Sequence, residues 1–246
     1  MRRRGVLAGL AGLAAFPARA QNAGVQPKAL SGARFVLGDQ EFLLADVIAP
    51  PLYTLTKGAP SHFEASRQAL GELLSDALDI TDVLPPTRWG VHRISAINIQ
   101  GKSLQSILVA KGAVRVAPES ADNVRITELL VLESGARLAL RGVWALPAYH
   151  VFSADNASGA IGRFHLIEGR VKSAEKHGSR FYLNFGDDYR TDFTAGAASA
   201  LYGKWLKAGM DLGELQNARV RIRGYVGAIN GPSIDLKHPL QIERLG

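Results

Sequence analysis

Only two stretches of this chain, 62–78 and 126–140, carry the 3.6-residue apolar period of a long amphipathic helix. Elsewhere the apolar residues come in short runs cut by glycine, proline and Asn-Gly or His-Gly dipeptides, which is how strands and turns are written. That pattern excludes a helical bundle and a regularly alternating α/β chain. It predicts a mainly β protein with a few added helices, of the α+β kind. The 246 residues are enough for two modest domains, and 47% hydrophobic content excludes a disordered chain.

The pattern places the elements. Arg34–Leu37 and Glu41–Val47 flank Gly38-Asp39-Gln40 as a β-hairpin, and Ala49-Pro50-Pro51 ends the second strand. Ser61-His62-Phe63-Glu64 has the form of a capping box opening the helix over 62–78. Val91–Ile99 reads as a strand, Ser103–Ala110 as a short helix and Ala113–Val116 as a strand. The second long helix then runs over Ile126–Leu140, with Gly142 placed to end it. Ser153 to Gly159 has the small, polar composition of a linker. Beyond it, strands are predicted at Phe164–Ala174, Arg180–Gly186, Asp192–Ala195, Ala218–Ala228 and Ser233–Leu236, with one short helix over Ala197–Leu206. The expected organisation is a segment 1–20, a linker 21–29, a β-rich domain 30–150, a linker 151–161 and a small β-barrel domain 162–246.

Residues 1–20 read as an address. Arg2-Arg3-Arg4 is a positive n-region, Val6 to Phe16 an apolar run, and Ala18-Arg19-Ala20 a small-x-small cleavage pattern. Arg3-Arg4-Gly5-Val6-Leu7 is similar to a twin-arginine export motif. The expectation is a cleavable signal and a periplasmic or secreted protein, with no membrane span in the mature chain. Removing the segment takes away four arginines and no acid, so the formal charge falls from +7 to +3. A general nucleic-acid reading from net charge weakens accordingly. The absence of cysteine excludes a disulfide scaffold, a thiolate metal site and a cysteine nucleophile.

The order of elements over residues 30–146 resembles the staphylococcal nuclease (thermonuclease) family. Leu43-Leu-Ala-Asp-Val-Ile-Ala-Pro-Pro51 stands where that family has R-L-x-x-I-D-A-P-E. Arg88-Trp-Gly-Val91 stands where it has R-Y-G-R, and Ile107-Leu-Val-Ala-Lys-Gly-Ala-Val-Arg-Val116 where it has A-L-V-x-x-G-x-A-x-V. The resemblance implies an OB-type barrel with added helices, followed here by a second, smaller OB-like barrel. The family's activity is metal-dependent phosphodiester cleavage, which needs carboxylates for the metal, a base, and cationic donors on the developing charge. Here those positions hold Ala33, Leu43, Ile48, Pro51 and Val91. No catalytic residue, metal ligand or cofactor site is therefore assigned. Asp39, Asp46, His92 and Arg93 are the only candidates for a relocated site.

The second domain offers a different pattern. Arg219, Arg221, Arg223 and Tyr225 share one strand face by period two, and Tyr182 alternates with Phe181 and Leu183. Such a face can follow a phosphate backbone and stack a base, so these five residues are the candidate binding site. Asp187, Asp188 and Asp192 read as a polar turn, and no H-x-x-x-H, G-x-S-x-G or phosphate-loop motif occurs. The functional expectation is a thermonuclease-like protein that has lost catalysis and acts as a binding or scaffolding module. Its partner would be a protein, an envelope component or nucleic acid. The alternatives are an active nuclease with relocated residues, or a nucleic-acid binder through the second barrel.

Overall fold

The structure, a computed structural model, describes residues 26–52, 61–75 and 77–245. The segment expected to be a signal, the expected twin-arginine motif within it and most of the expected linker 21–29 lie outside the described residues. The chain is mainly β with added helices. The first unit contains β1 (Lys28–Ala29), β2 (Arg34–Leu37), β3 (Gln40–Leu44), β4 (Val47–Ile48), α1 (Phe63–Leu73), β5 (Leu78–Leu84), β6 (His92–Asn98), α2 (Leu104–Ala110), β7 (Arg115–Val116) and α3 (Asn123–Leu138). Its sheet runs β1-β2-β3-β6-β5, with β3 parallel to β6, and β4 pairs separately with β7.

The β2–β3 hairpin forms where the sequence places it. Gly38 turns it at φ +60°, a conformation that costs glycine little. Phe35 and Phe42 face each other across the pair with ring centroids 5.2 Å apart, and both are buried in the first core. α1 departs from expectation at both ends. Glu64 turns to Arg67 instead of back to its cap, and the Ser61 hydroxyl accepts from Phe63 N–H, so no capping box forms. The helix stops at Leu73, and Leu78–Leu84 becomes an unforeseen strand. This strand is the sheet's edge, which is why Asp79, Thr81 and Asp82 are exposed on it while Ile80 enters the core. α3 begins three residues early because Asp122, not a later residue, caps it by accepting from Arg125 N–H at 3.0 Å.

The second unit contains β8 (Phe152–Ser153), β9 (Phe164–Arg170), β10 (Ser173–His177), β11 (Arg180–Asn184), β12 (Thr194–Ala198), α4 (Ser199–Lys207), β13 (Arg219–Ala228), β14 (Pro232–Leu236) and β15 (Ile242–Leu245). These form one curled sheet in the order β10-β11-β12-β14-β13-β9-β8, with β15 also on β13. The strand expected over 164–174 is broken into β9 and β10, because Val171 pairs through its backbone with Asn217 and Ala218. β13 is the longest strand. One edge pairs with β9, and the other pairs first with β15 and then with β14. Between β14 and β15 the chain leaves the sheet at 237–241. Gln241 fills the gap, donating to Arg223 O at 3.0 Å and accepting from Lys237 and His238 N–H.

The stretch 151–161 is not a linker. Phe152–Ser153 pairs in parallel with β9, and Ala154–Ala160 coils into 3₁₀ turns with Ala157 and Ala160 fully buried in the second core. Its small residues serve close packing. A side chain at Gly159 would press on the Phe152 ring at 2.9 Å, and one at Gly169 would meet Ala154 and Phe185 at 2.7 Å. The two units are joined by a third apolar cluster of Ala136, Val143, Trp144 and Tyr149 from one side and Phe164 and Leu166 from the other.

Candidate functional site

The positions where the resemblance calls for catalytic residues fall in different surroundings. Ala33 is buried, and its carbonyl accepts from Leu44 N–H at 2.8 Å. Leu43 packs on the first core, whereas Ile48 packs on the cluster between the units. Val91 is buried and tied to Thr87 by backbone and hydroxyl bonds, and Pro51 is exposed.

The relocated candidates do not converge either. Asp39 sits in the exposed hairpin turn. His92 lies 3.2 Å from Asp82 and tilts against the Phe42 ring, and Arg93 donates to Pro85 O and to Glu119. Asp46 is fully buried at φ +64°. Its carboxylate accepts from Glu119 N–H at 2.9 Å, Ser120 N–H at 2.8 Å, Ser120 Oγ at 2.7 Å and Arg125 Nη2 at 2.6 Å. That set fills the acceptor capacity of a carboxylate and fastens the segment leading into α3. Among the described residues, no three His, Asp or Glu side chains gather in a way that could hold a metal ion.

The arginine face of β13 is real as a face, but it does not face water. Arg219 is exposed at one rim and Tyr225 at the other, where the tyrosine packs edge-on against Phe164. Arg221 and Arg223 between them are buried. Arg221 donates to Glu168 from Nε (2.8 Å) and Nη2 (2.6 Å), and reaches Glu243 at 3.2 Å. Arg223 donates to Glu133 of α3 at 2.6 Å and to Val116 O of β7 at 3.1 Å, and also pairs with Glu243. Burial works against the Arg223 charge, but Glu133 and Glu243 outweigh it and hold its pKa above the ordinary value. Tyr182 is separated from this face by β12 and β14, and Arg180 lies over its ring at 5.9 Å. The five residues expected to form one binding face are thus split. Arg223 clasps the first unit and Arg221 is held by Glu168 and Glu243 of its own unit, so a phosphate backbone has no access to the central two arginines.

The clasp has further members. Arg115 of β7 is buried between the Tyr149 and Phe164 rings, at 4.9 and 5.1 Å from their centroids, and donates to Phe164 O at 2.7 Å. Burial lowers its pKa to about 10, partly offset by Tyr149 and Glu133. From the 237–241 excursion, the His238 Nε2 lies 2.9 Å from Ser120 O, and Leu240 packs on the first core. The residues that reading by period missed are the carboxylates. Glu133 carried a signal, because it falls on the buried stripe Ile126, Leu129, Glu133, Ala136 of α3. A charge on an apolar helix stripe asks for a buried partner. The trio Asp187, Asp188 and Asp192 forms a turn, with Asp192 Oδ2 accepting from Asp188 N–H at 2.8 Å and Asp188 Oδ1 accepting from Arg190 N–H at 3.0 Å.

Among the described residues, no helix is long and apolar enough to cross a membrane. Compared with known proteins, the chain is matched by no family model and by no curated protein.

Proposed function

We propose that this chain is an exported binding or scaffolding protein, built from a thermonuclease-like OB barrel that has lost catalysis and a second OB-like barrel. The observation that carries the reading is the state of Asp46. It is the one carboxylate left in the stretch Leu43–Pro51, and it is buried with four hydrogen bonds that hold the segment before α3. A carboxylate so engaged has no lone pair to offer a metal or a water. Arg93, the nearest cation in sequence to the Val91 position, is occupied by Pro85 O and Glu119. Removal of a single oriented donor costs about 10²–10³ in rate, and here the whole set is absent or committed. The strand order β1-β2-β3-β6-β5, with β3 parallel to β6 and α1 leading into β5, is compatible with the OB reading.

The test is direct. Purified protein is incubated with single- and double-stranded DNA and with RNA over a range of Ca²⁺, Mg²⁺ and Mn²⁺. No cleavage above a protein-free control is expected. Metal-dependent cleavage that is abolished by Arg93→Ala would overturn the reading. Export is tested separately. Replacing Arg3-Arg4 by Lys-Lys should stop translocation, and undiminished secretion would contradict the twin-arginine route.

A further inference from the structure

Arg170 of β9 and Arg219 of β13 are directly opposite partners in the antiparallel ladder. Like charges at this spacing are destabilising unless something neutralises them. Among the described residues Arg170 has no carboxylate within ion-pair distance, and it donates to Asn217 O at 2.6 Å. Arg219 reaches Glu168 only at 3.3 Å, and that carboxylate is already held by two nitrogens of Arg221. The pair is under-neutralised, and it borders a cavity.

That cavity, of about 560 Å³, lies beside the edge of β9 where β8 ends. Such a volume falls within the range of small-ligand sites. Val151, Phe152 and Phe185 give it apolar walls, Arg170 and Arg219 give it cations, and Glu168 and Asp155 are the acids on its lining. Gly169 keeps its floor open to close packing, because a side chain there would meet Ala154 and Phe185.

We propose that this cavity binds a small anion, a carboxylate or phosphate carrying an apolar group, with the anion on the Arg170–Arg219 pair and the apolar part against Phe152 and Phe185. The proposal deepens the binding reading and rests on it. The guanidinium pair supplies donors suited to a planar or tetrahedral oxyanion. Phe152 and Phe185 offer the rest of the ligand an apolar contact.

The experiment titrates the full chain with benzyl phosphate, 4-phenylbutyrate, inorganic phosphate and benzyl alcohol, followed by calorimetry and by amide chemical shifts. Saturable binding of either aromatic anion, with shifts centred on residues 151–155 and 168–170, is expected, and the phosphate and carboxylate arms rank the two chemistries. Benzyl alcohol and inorganic phosphate should bind at least tenfold more weakly. Arg170→Gln with Arg219→Gln should lower affinity at least tenfold, in protein whose thermal midpoint is checked. Asp155→Asn removes one of the two lining acids without removing any hydrogen bond seen in the structure, and should tighten binding about two- to fivefold. The proposal is overturned if neither aromatic anion binds, if benzyl alcohol binds as well as they do, or if Asp155→Asn leaves affinity unchanged. The same samples assayed for nucleic-acid cleavage keep the two failures apart: cleavage sinks the non-catalytic reading whatever binds, whereas absent binding without cleavage sinks only this site.

Discussion

Arg223 of β13 donates to Glu133 of α3 at 2.6 Å, with both side chains almost wholly buried. This pair is where the two β-rich units are fastened, and it converts what reads as a cationic surface into an internal clasp. Because Glu133 also accepts from Val116 N–H at 2.6 Å and Arg223 donates to Val116 O, both groups of one backbone unit are held by the same pair.

Breaking that clasp from one side should be costly. Arg223→Met leaves Glu133 buried without its cation, and the expected loss is about 3–5 kcal/mol in chemical denaturation. The double variant Arg223→Met with Glu133→Leu should recover part of it, because neither charge then remains stranded, although Val116 N–H and O lose their partners. A double variant no more stable than the single would show that the pair's worth lies elsewhere.

Asp46→Ala removes an acceptor of four hydrogen bonds at a left-handed backbone position. It leaves several buried donors unpaired, at about 1–3 kcal/mol for each. A loss of 3 kcal/mol or more is expected. Asp46→Asn, which tolerates the backbone conformation and keeps one acceptor oxygen, should lose less. Equal losses would mean that the carboxylate's charge and full acceptor set, which both variants lack, set the cost, and not backbone strain.

His165 gives a pH dependence with a definite sign. It is buried against the edge of Phe152, its Nδ1 has no hydrogen-bond partner, and burial together with Arg115 and Arg163 lowers its pKa to about 3. The unfolded chain binds a proton near pH 6.5, before the folded protein does. Its neutral burial is therefore without penalty above about pH 6.5, and stability falls as pH drops from there toward 3. The slope contributed by one such group is about 1.4 kcal/mol per pH unit. Burial lowers the His238 pKa too, which adds in the same direction. Denaturation of His165→Phe between pH 4 and 8 should show a flatter profile than the parent; parallel profiles would refute the assignment.

Gly112 and Gly142 lean on each other at positive φ, +68° and +54°. A Cβ on Gly112 would fall on the Arg141 carbonyl, and one on Gly142 on the Gly112 carbonyl. Gly112→Ala and Gly142→Ala should each destabilise by about 2 kcal/mol or more, combining a left-handed backbone with a clash against main chain. Gly178→Ala, also at positive φ but with open space around it, separates the two contributions in the same melting experiment and should cost less.

Much of the secondary structure was legible because local period and turn chemistry act within a few residues. The β2–β3 hairpin, β6, α2, β11 and β13 lie close to where alternation and helical spacing place them. β5 was not legible, because an edge strand with three exposed polar residues has a weak alternation, and the preceding helical period runs up to its first residue. The 3₁₀ segment Ala154–Ala160 was misread because small residues look the same whether they give flexibility or close packing.

The candidate site was legible only by halves. Alternation alone put Arg219, Arg221, Arg223 and Tyr225 on one face, and that much is a property of a strand. Whether the face meets water, phosphate or carboxylate depends on Glu133, which is 90 residues distant in the chain, and on Glu168 and Glu243 from β9 and β15. Likewise the sequence by itself put apolar residues at Ala33, Leu43, Ile48, Pro51 and Val91, where the proposed resemblance would require metal and phosphate ligands. Only the tertiary structure decided that Asp46 was spent on Ser120 and Arg125, that the two units share a buried core, and that Arg170 and Arg219 stand opposed over a cavity. The reason is that period and propensity are local, whereas the partner of a buried charge is chosen by packing between elements far apart in the chain.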